Sequence, residues 1–137
     1  VFTWTPTEAQ GPGSYTFDVQ VSDGELTDSE SITVSVMEVR TEPVLAPIGN
    51  KTIAEGSELT FTASATDADL PANTLTYALG AGAPAGAAIT SAGVFTWTPT
   101  EAQGYGMYMV TVTVSDGWGS DYETFIVTVT EVNVAPV

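Results

Sequence analysis

The sequence predicts an all-β chain of tandem β-sandwich repeats, about one and a half copies long, and three observations carry that prediction. The first ten residues, Val1 to Gln10, return unchanged as Val94 to Gln103. At a constant offset of 93, residues 1–44 lie on 94–137 without a gap, and 26 of the 44 positions are identical. A period of that size is too long for a solenoid unit and suits one small sandwich. Alternating runs rich in Val and Thr recur along the chain, with Val placed for a core face and Thr for a wet one. Gly and Pro punctuate those runs at the intervals expected between short strands.

The offset assigns the parts. Residues 1–42 match only the second half of the repeat, residues 43–133 form one whole copy, and residues 134–137 begin another. The partial copy is expected to hold strands at 1–5, 13–22 and 28–39. The complete copy is expected to hold seven, at 44–53, 57–65, 74–79, 87–91, 93–98, 106–115 and 121–132. Leu59 to Ala63, Leu75 to Leu79, Val110 to Val114 and Phe125 to Val129 are the alternating cores of four of them. Ser22-Asp23-Gly24 and Ser115-Asp116-Gly117 mark tight hairpins, because Asp and Gly supply the local hydrogen bond and the backbone freedom that such turns need. Gly80 to Ala88 is nearly all Gly, Ala and Pro, which predicts a loop with little core value. Glu38 to Pro47 and Glu131 to Val137 are joints between units, stiffened by their prolines.

The partial copy poses a packing problem. Its three strands carry Val1, Trp4, Tyr15, Phe17, Val19, Val21, Ile32, Val34 and Val36 on inner faces that need a partner sheet. The missing strands come either from a longer chain or from an identical neighbour by strand addition.

Composition narrows the function. Seventeen acidic residues stand against Arg40 and Lys51, a net charge of −15. Nucleic acid is excluded as a partner, because phosphate binding needs clustered cations. An anionic membrane surface is disfavoured for the same reason, and no apolar run is long enough to insert in a bilayer. Cys and His are absent, which removes thiol nucleophiles, imidazole bases, disulfides and structural zinc together. No enzyme is expected, since paired carboxylates in turns lack the enclosing pocket of acid–base chemistry. The acidity has two readings: solubility through self-repulsion, or oxygen ligands for a hard cation such as calcium.

Repeated aromatics are read as core. Trp4 and Trp97 sit in Phe-Thr-Trp-Thr-Pro, and Tyr15 and Tyr108 stand where a tyrosine hydroxyl can return to the backbone before the penultimate strand. Trp118 replaces Glu25 of the other copy and is expected to be exposed at a hairpin tip. Among the acids, Asp67 and Asp69 stand two apart after a strand and can share one cation or cap a turn.

Ala65-Thr66-Asp67-Ala68-Asp69, with Glu55 upstream, Ser115-Asp116-Gly117 downstream and Glu-Val-Asn-Val-Ala-Pro at the joint, resembles a cadherin-like repeat. The Phe-Thr-Trp-Thr-Pro segment with its following Gly-x-Gly-x-Tyr is similar to the dystroglycan-type cadherin-like and Ig-like modules of large bacterial surface proteins. The resemblance implies a Greek-key Ig-like sandwich and calcium held between consecutive repeats. Carried over residue by residue, it implies a site made of Glu8, Glu38, Glu42, Asp67, Asp69 and Asp116, with Asn73 as a further candidate. Glu55, Glu101, Glu131 and Asn133 would then belong to the next joint and be incomplete here. This chain departs from the pattern in its joint, where Arg40 places a positive charge beside the acids.

The function expected on this basis is a structural module of an extracellular, cell-surface stalk or adhesin, with neighbouring repeats as partners and calcium at the joints. Two alternatives stand beside it. One is a self-assembling filament or sheath completed by identical chains. The other is a carbohydrate-binding accessory domain of a secreted enzyme, which needs exposed rings such as Trp118, Tyr105 and Tyr122.

Overall fold

The computed structural model describes residues 1–133 and is built from β-structure. Two compact units divide it. One holds Val1–Arg40 together with Asp69–Pro71, and the other holds Thr41–Ala68 and the described residues from Ala72 onward.

The first unit contains a short 3-10 turn at Glu8–Gln10 and the hairpin of β1 (Gly13–Ser22) and β2 (Thr27–Val36). The strands pair antiparallel from Gly13↔Val36 to Ser22↔Thr27. Asp23 closes the turn by accepting the N–H groups of Glu25 and Leu26 at 3.0 and 2.8 Å, as the Ser-Asp-Gly signal predicts. The expected strand at 1–5 does not form, although the same residues form one at 94–97. The physical reason is pairing. In the complete copy that strand lies between two others, and the partial copy has neither, so its N–H groups have no ladder to join.

In the second unit the strands are β3 (Val44–Leu45), β4 (Lys51–Ala54), β5 (Leu59–Thr62), β6 (Ala65–Thr66), β7 (Thr76–Leu79), β8 (Ala88–Ile89), β9 (Val94–Trp97), β10 (Gly106–Ser115) and β11 (Ser120–Thr130). One sheet runs β4-β11-β10-β7 and another runs β5-β9-β8, with the small pair β3-β6 beside them. The predicted strand at 44–53 is two pieces, because the chain leaves the antiparallel pairing with β6 and joins β11 in parallel. The predicted strand at 57–65 likewise splits into β5 and β6, which pair in different sheets.

The core of this unit follows the alternation read from sequence. Val110, Val112 and Val114 of β10 and Phe125, Val127 and Val129 of β11 are buried, while the intervening threonines are not. Facing them, Phe61 and Phe95 stack at 4.8 Å, and both meet Phe125 edge-on at 5.6 and 6.2 Å. Each such ring, fully buried, contributes about 2–3 kcal/mol. Trp97 is 1% exposed and packs edge-to-face on Tyr108 at 5.1 Å. The Tyr108 hydroxyl donates to the Gln103 carbonyl at 2.9 Å, and Tyr15 repeats the bond to Gln10. The Gly80–Ala88 loop has more core value than its composition suggests. Its Ala85 carbonyl receives the buried Trp97 indole N–H at 3.2 Å and the Gln103 side-chain amide at 3.1 Å.

The partial copy lacks that cover. Val19, Val21 and Ile32 are 46%, 68% and 40% exposed. Their counterparts at the 93-residue offset, Val112, Val114 and Phe125, are among the most buried residues of the second unit.

Candidate cation sites

The repeat places the same two acids at the same two points of each unit. The turn Thr-Glu-Ala-Gln, tightened by a capping box between Thr and Gln, presents Glu8 in one copy and Glu101 in the other. The exit from the last strand presents Glu38 and Glu131. What differs is the third carboxylate that joins each pair.

In the second unit the third is Glu55, in the turn after β4. Oxygens of Glu55, Glu101 and Glu131 lie within 4.8 Å of one another. Glu55 is 5% exposed. Its Oε1 accepts the Val132 N–H at 2.8 Å, while its Oε2 is shut off from solvent and has no donor among the described residues. Gly104 makes the room, since a Cβ there would stand 1.7 Å from that oxygen. The charge of Glu55, then burial, then the charge of Glu101 raise the Glu131 carboxyl above the ordinary glutamate range. A buried oxygen that accepts nothing, among carboxylates that repel, costs free energy unless a cation or a proton neutralises it. The donors are all hard oxygens, a set that fits calcium rather than a soft metal. These three acids, which the resemblance assigns to the next joint, group within a single unit.

In the first unit the third is Asp69, which belongs to that unit with Leu70 and Pro71. Oxygens of Glu8, Glu38 and Asp69 lie within 4.8 Å of one another. Both Glu38 oxygens are shut off from solvent, and no N–H or O–H of the described residues donates to them. Burial raises the Glu38 carboxyl first. The Glu8 carboxyl beside it, with which it can share a proton, raises it further, as does Asp69, and Arg40 opposes them.

The other candidates are placed differently. Asp67 and Asp116 bring carboxylate oxygens within 4.8 Å of each other in the second unit. Asp116 Oδ1 is committed to the hairpin turn, accepting Trp118 and Gly119 N–H at 2.7 Å each, as Asp23 does in the first unit. Glu42 is exposed and joins none of these groupings among the described residues. Its Cγ lies against Gly119, where a Cβ would come within 2.7 Å. The resemblance assigns Glu55 to the next joint with Glu101 and Glu131 but gives no sign of its burial, because an acid opening a Glu-Gly-Ser turn reads the same whether buried or exposed.

Fold and site together define a class: an Ig-like β-sandwich repeat with acidic clusters at its turn and strand exit. The family described as Putative Ig domain matches residues 42–130, and the chain belongs to it. No curated protein matches. Among solved structures, three mouse cadherin-23 repeats, EC22-24, superpose with a TM-score of 0.56 at 20% identity, over 92% of this chain and 44% of that one. The endo-fucoidan hydrolase MfFcnA4 of glycoside hydrolase family 107 gives 0.53 at 23% identity, over 93% of this chain and 20% of that one. The PKD domain of human KIAA0319 gives 0.51 at 19% identity, over 69% of this chain and 87% of that one. At such identities the likeness is one of fold, Ig-like and cadherin-like. That fold is typically non-catalytic, and the chain spans only a fifth of the hydrolase it resembles.

Proposed function

We propose that the chain is a structural module of an extracellular, multi-repeat stalk or adhesin, and that calcium bound by its acidic clusters stabilises the repeats and stiffens their joints. The observation that supports this reading most is Glu55 Oε2, buried beside Glu101 and Glu131 without a donor among the described residues. Folding that places three carboxylates together, one with an unsatisfied buried oxygen, is unfavourable unless charge is supplied from outside. The recurrence of Glu8 and Glu38 at Glu101 and Glu131 makes the pair a property of the repeat. The fold is also one often found in extracellular modules.

The test is thermal unfolding in about 5 mM calcium and in excess chelator. A cation present at a thousandfold over its dissociation constant adds about 4 kcal/mol, enough to move the midpoint by several degrees. Equal midpoints in calcium and chelator would refute cation binding and leave the acids as solvation charge.

A second reading stands beside the first, in which the exposed Val19, Val21 and Ile32 are covered by a neighbouring chain rather than by strands of a longer one. An identical chain that covered this face by strand addition would bury them and link subunits into a filament or sheath. Ordered polymers growing with concentration in size-exclusion chromatography would support it, and a monomer at every concentration would exclude it.

A further inference from the structure

The outer face of the β10–β11 hairpin carries apolar side chains that the fold does not need. Met107, Met109, Tyr105, Tyr122 and Trp118 are each between 67% and 88% exposed. Ile126, half-buried, stands opposite Met109 in the ladder, and Tyr122 stands opposite Thr113 on the same outward-facing set. The chain contains its own control. At the 93-residue offset these six positions are Ser14, Thr16, Pro12, Ser29, Glu25 and Thr33. The β1–β2 hairpin keeps an equivalent register with those polar residues. Hairpin pairing in this register therefore does not require Met, Tyr, Ile or Trp on the outside.

Two further features mark the face. Tyr105 is the one non-glycine residue with a positive φ (56°) among the described residues, a conformation that costs about 1 kcal/mol or more and tends to be kept where a side chain is put to use. Beside it runs a groove of about 570 Å³, walled by Tyr105, Met107 and the segment from Thr128 to Glu131.

We infer that this face docks a positively charged, amphipathic polypeptide segment. Met107 and Met109 point the same way about 7 Å apart, the spacing of alternate side chains in an extended peptide. Methionine suits apolar side chains of varied shape, and the groove holds Met107 beside a single ring, Tyr105, where a sugar ring prefers a broader aromatic platform. Charge complementarity selects among apolar partners. The groove ends at Glu131 in a chain of net charge −15, so an anionic lipid, an acidic glycan or the same face of a second copy is repelled from it.

The test titrates the full chain, in excess chelator so that no cation takes part, with a synthetic peptide of about ten residues alternating Leu and Lys. Methionine methyl NMR reads the site, with the exposed Met37 as internal reference. The expected result is that Met107 and Met109 shift and Met37 does not. M107S/M109T/I126T, which installs the polar residues of the other copy and changes no charge, should weaken binding roughly tenfold or more. If that variant unfolds, Y122S replaces it as the readout. The proposal is overturned if the variant binds as tightly as the parent, which is bulk charge attraction. Equal binding of a Leu/Glu peptide overturns it too, as does no binding of the Leu/Lys peptide, or methyl shifts caused by a neutral oligosaccharide instead.

Discussion

The Val132 N–H donates to Glu55 Oε1 at 2.8 Å, and this bond sets how the Glu55 carboxylate sits in its unit. With Oε1 held by the strand exit, Oε2 is left against Gly104 among acids and receives no hydrogen bond from the described residues.

Glu55→Gln separates charge from shape. The amide keeps an acceptor for Val132 and turns the other end into a donor toward Glu101 and Glu131. In chelator the variant should melt higher than the parent by about 2–5 °C, since repulsion is relieved. In calcium the ranking should reverse. A variant that keeps the parent's full calcium response would place the cation elsewhere.

Acidity should act in the same direction as the cation. The carboxyls of Glu38 and Glu131 are raised in the folded chain, so each favours folding at a pH below the ordinary glutamate value. That contribution is lost as pH rises through their folded values. Asp23, held down by the N–H groups of Leu26 and Glu25, contributes with the opposite sign and loses its effect as pH falls. In chelator Glu131→Gln should therefore raise the melting point of the second unit at pH 7 and do so less just below pH 5, a comparison that leaves the Asp116 turn unchanged. Calcium should abolish the difference. A gain of the same size at both pH values in chelator would contradict the raised Glu131.

Gly104→Ala tests the cradle. The new Cβ would meet Glu55 Oε2 at 1.7 Å, and the buried carboxylate has to move or break its bond to Val132. The expected cost is about 1–3 kcal/mol in denaturant titrations, with a weakened calcium response. Pairing it with Glu55→Ala should recover part of the loss, and strict additivity of the two changes would count against the contact.

Tyr108→Phe removes the hydroxyl that bonds the Gln103 carbonyl while keeping the ring on Trp97. A loss of about 1 kcal/mol is expected, with calcium affinity lowered only slightly, since the 3-10 turn carrying Glu101 would loosen. Unchanged stability in urea melts would show that the corner bond adds nothing beyond packing.

Much of the architecture was legible before any coordinate. The Val/Thr alternation of 106–115 and 121–132 identified the buried face because strand geometry sends neighbours to opposite sides. Ser-Asp-Gly located the hairpin tips because that chemistry is local. Trp97 and Tyr108 were readable as core for the same reason that Trp118 was readable as exposed: the repeat exchanged Trp118 for Glu25 and kept the other two.

What sequence by itself determined was the repeat, the strand faces, the tight turns and the identity of the core, all set by periodicity or by bonds between near neighbours. Tertiary structure alone decided which acids meet. Glu55, Glu101 and Glu131 are remote in sequence, and only the pairing of β4 with β11 and the closing turn before β10 bring their oxygens within 4.8 Å. It also decided that Val1 to Thr5 is not a strand while the same residues at Val94 to Thr98 supply one, because a strand exists only where another strand accepts its hydrogen bonds.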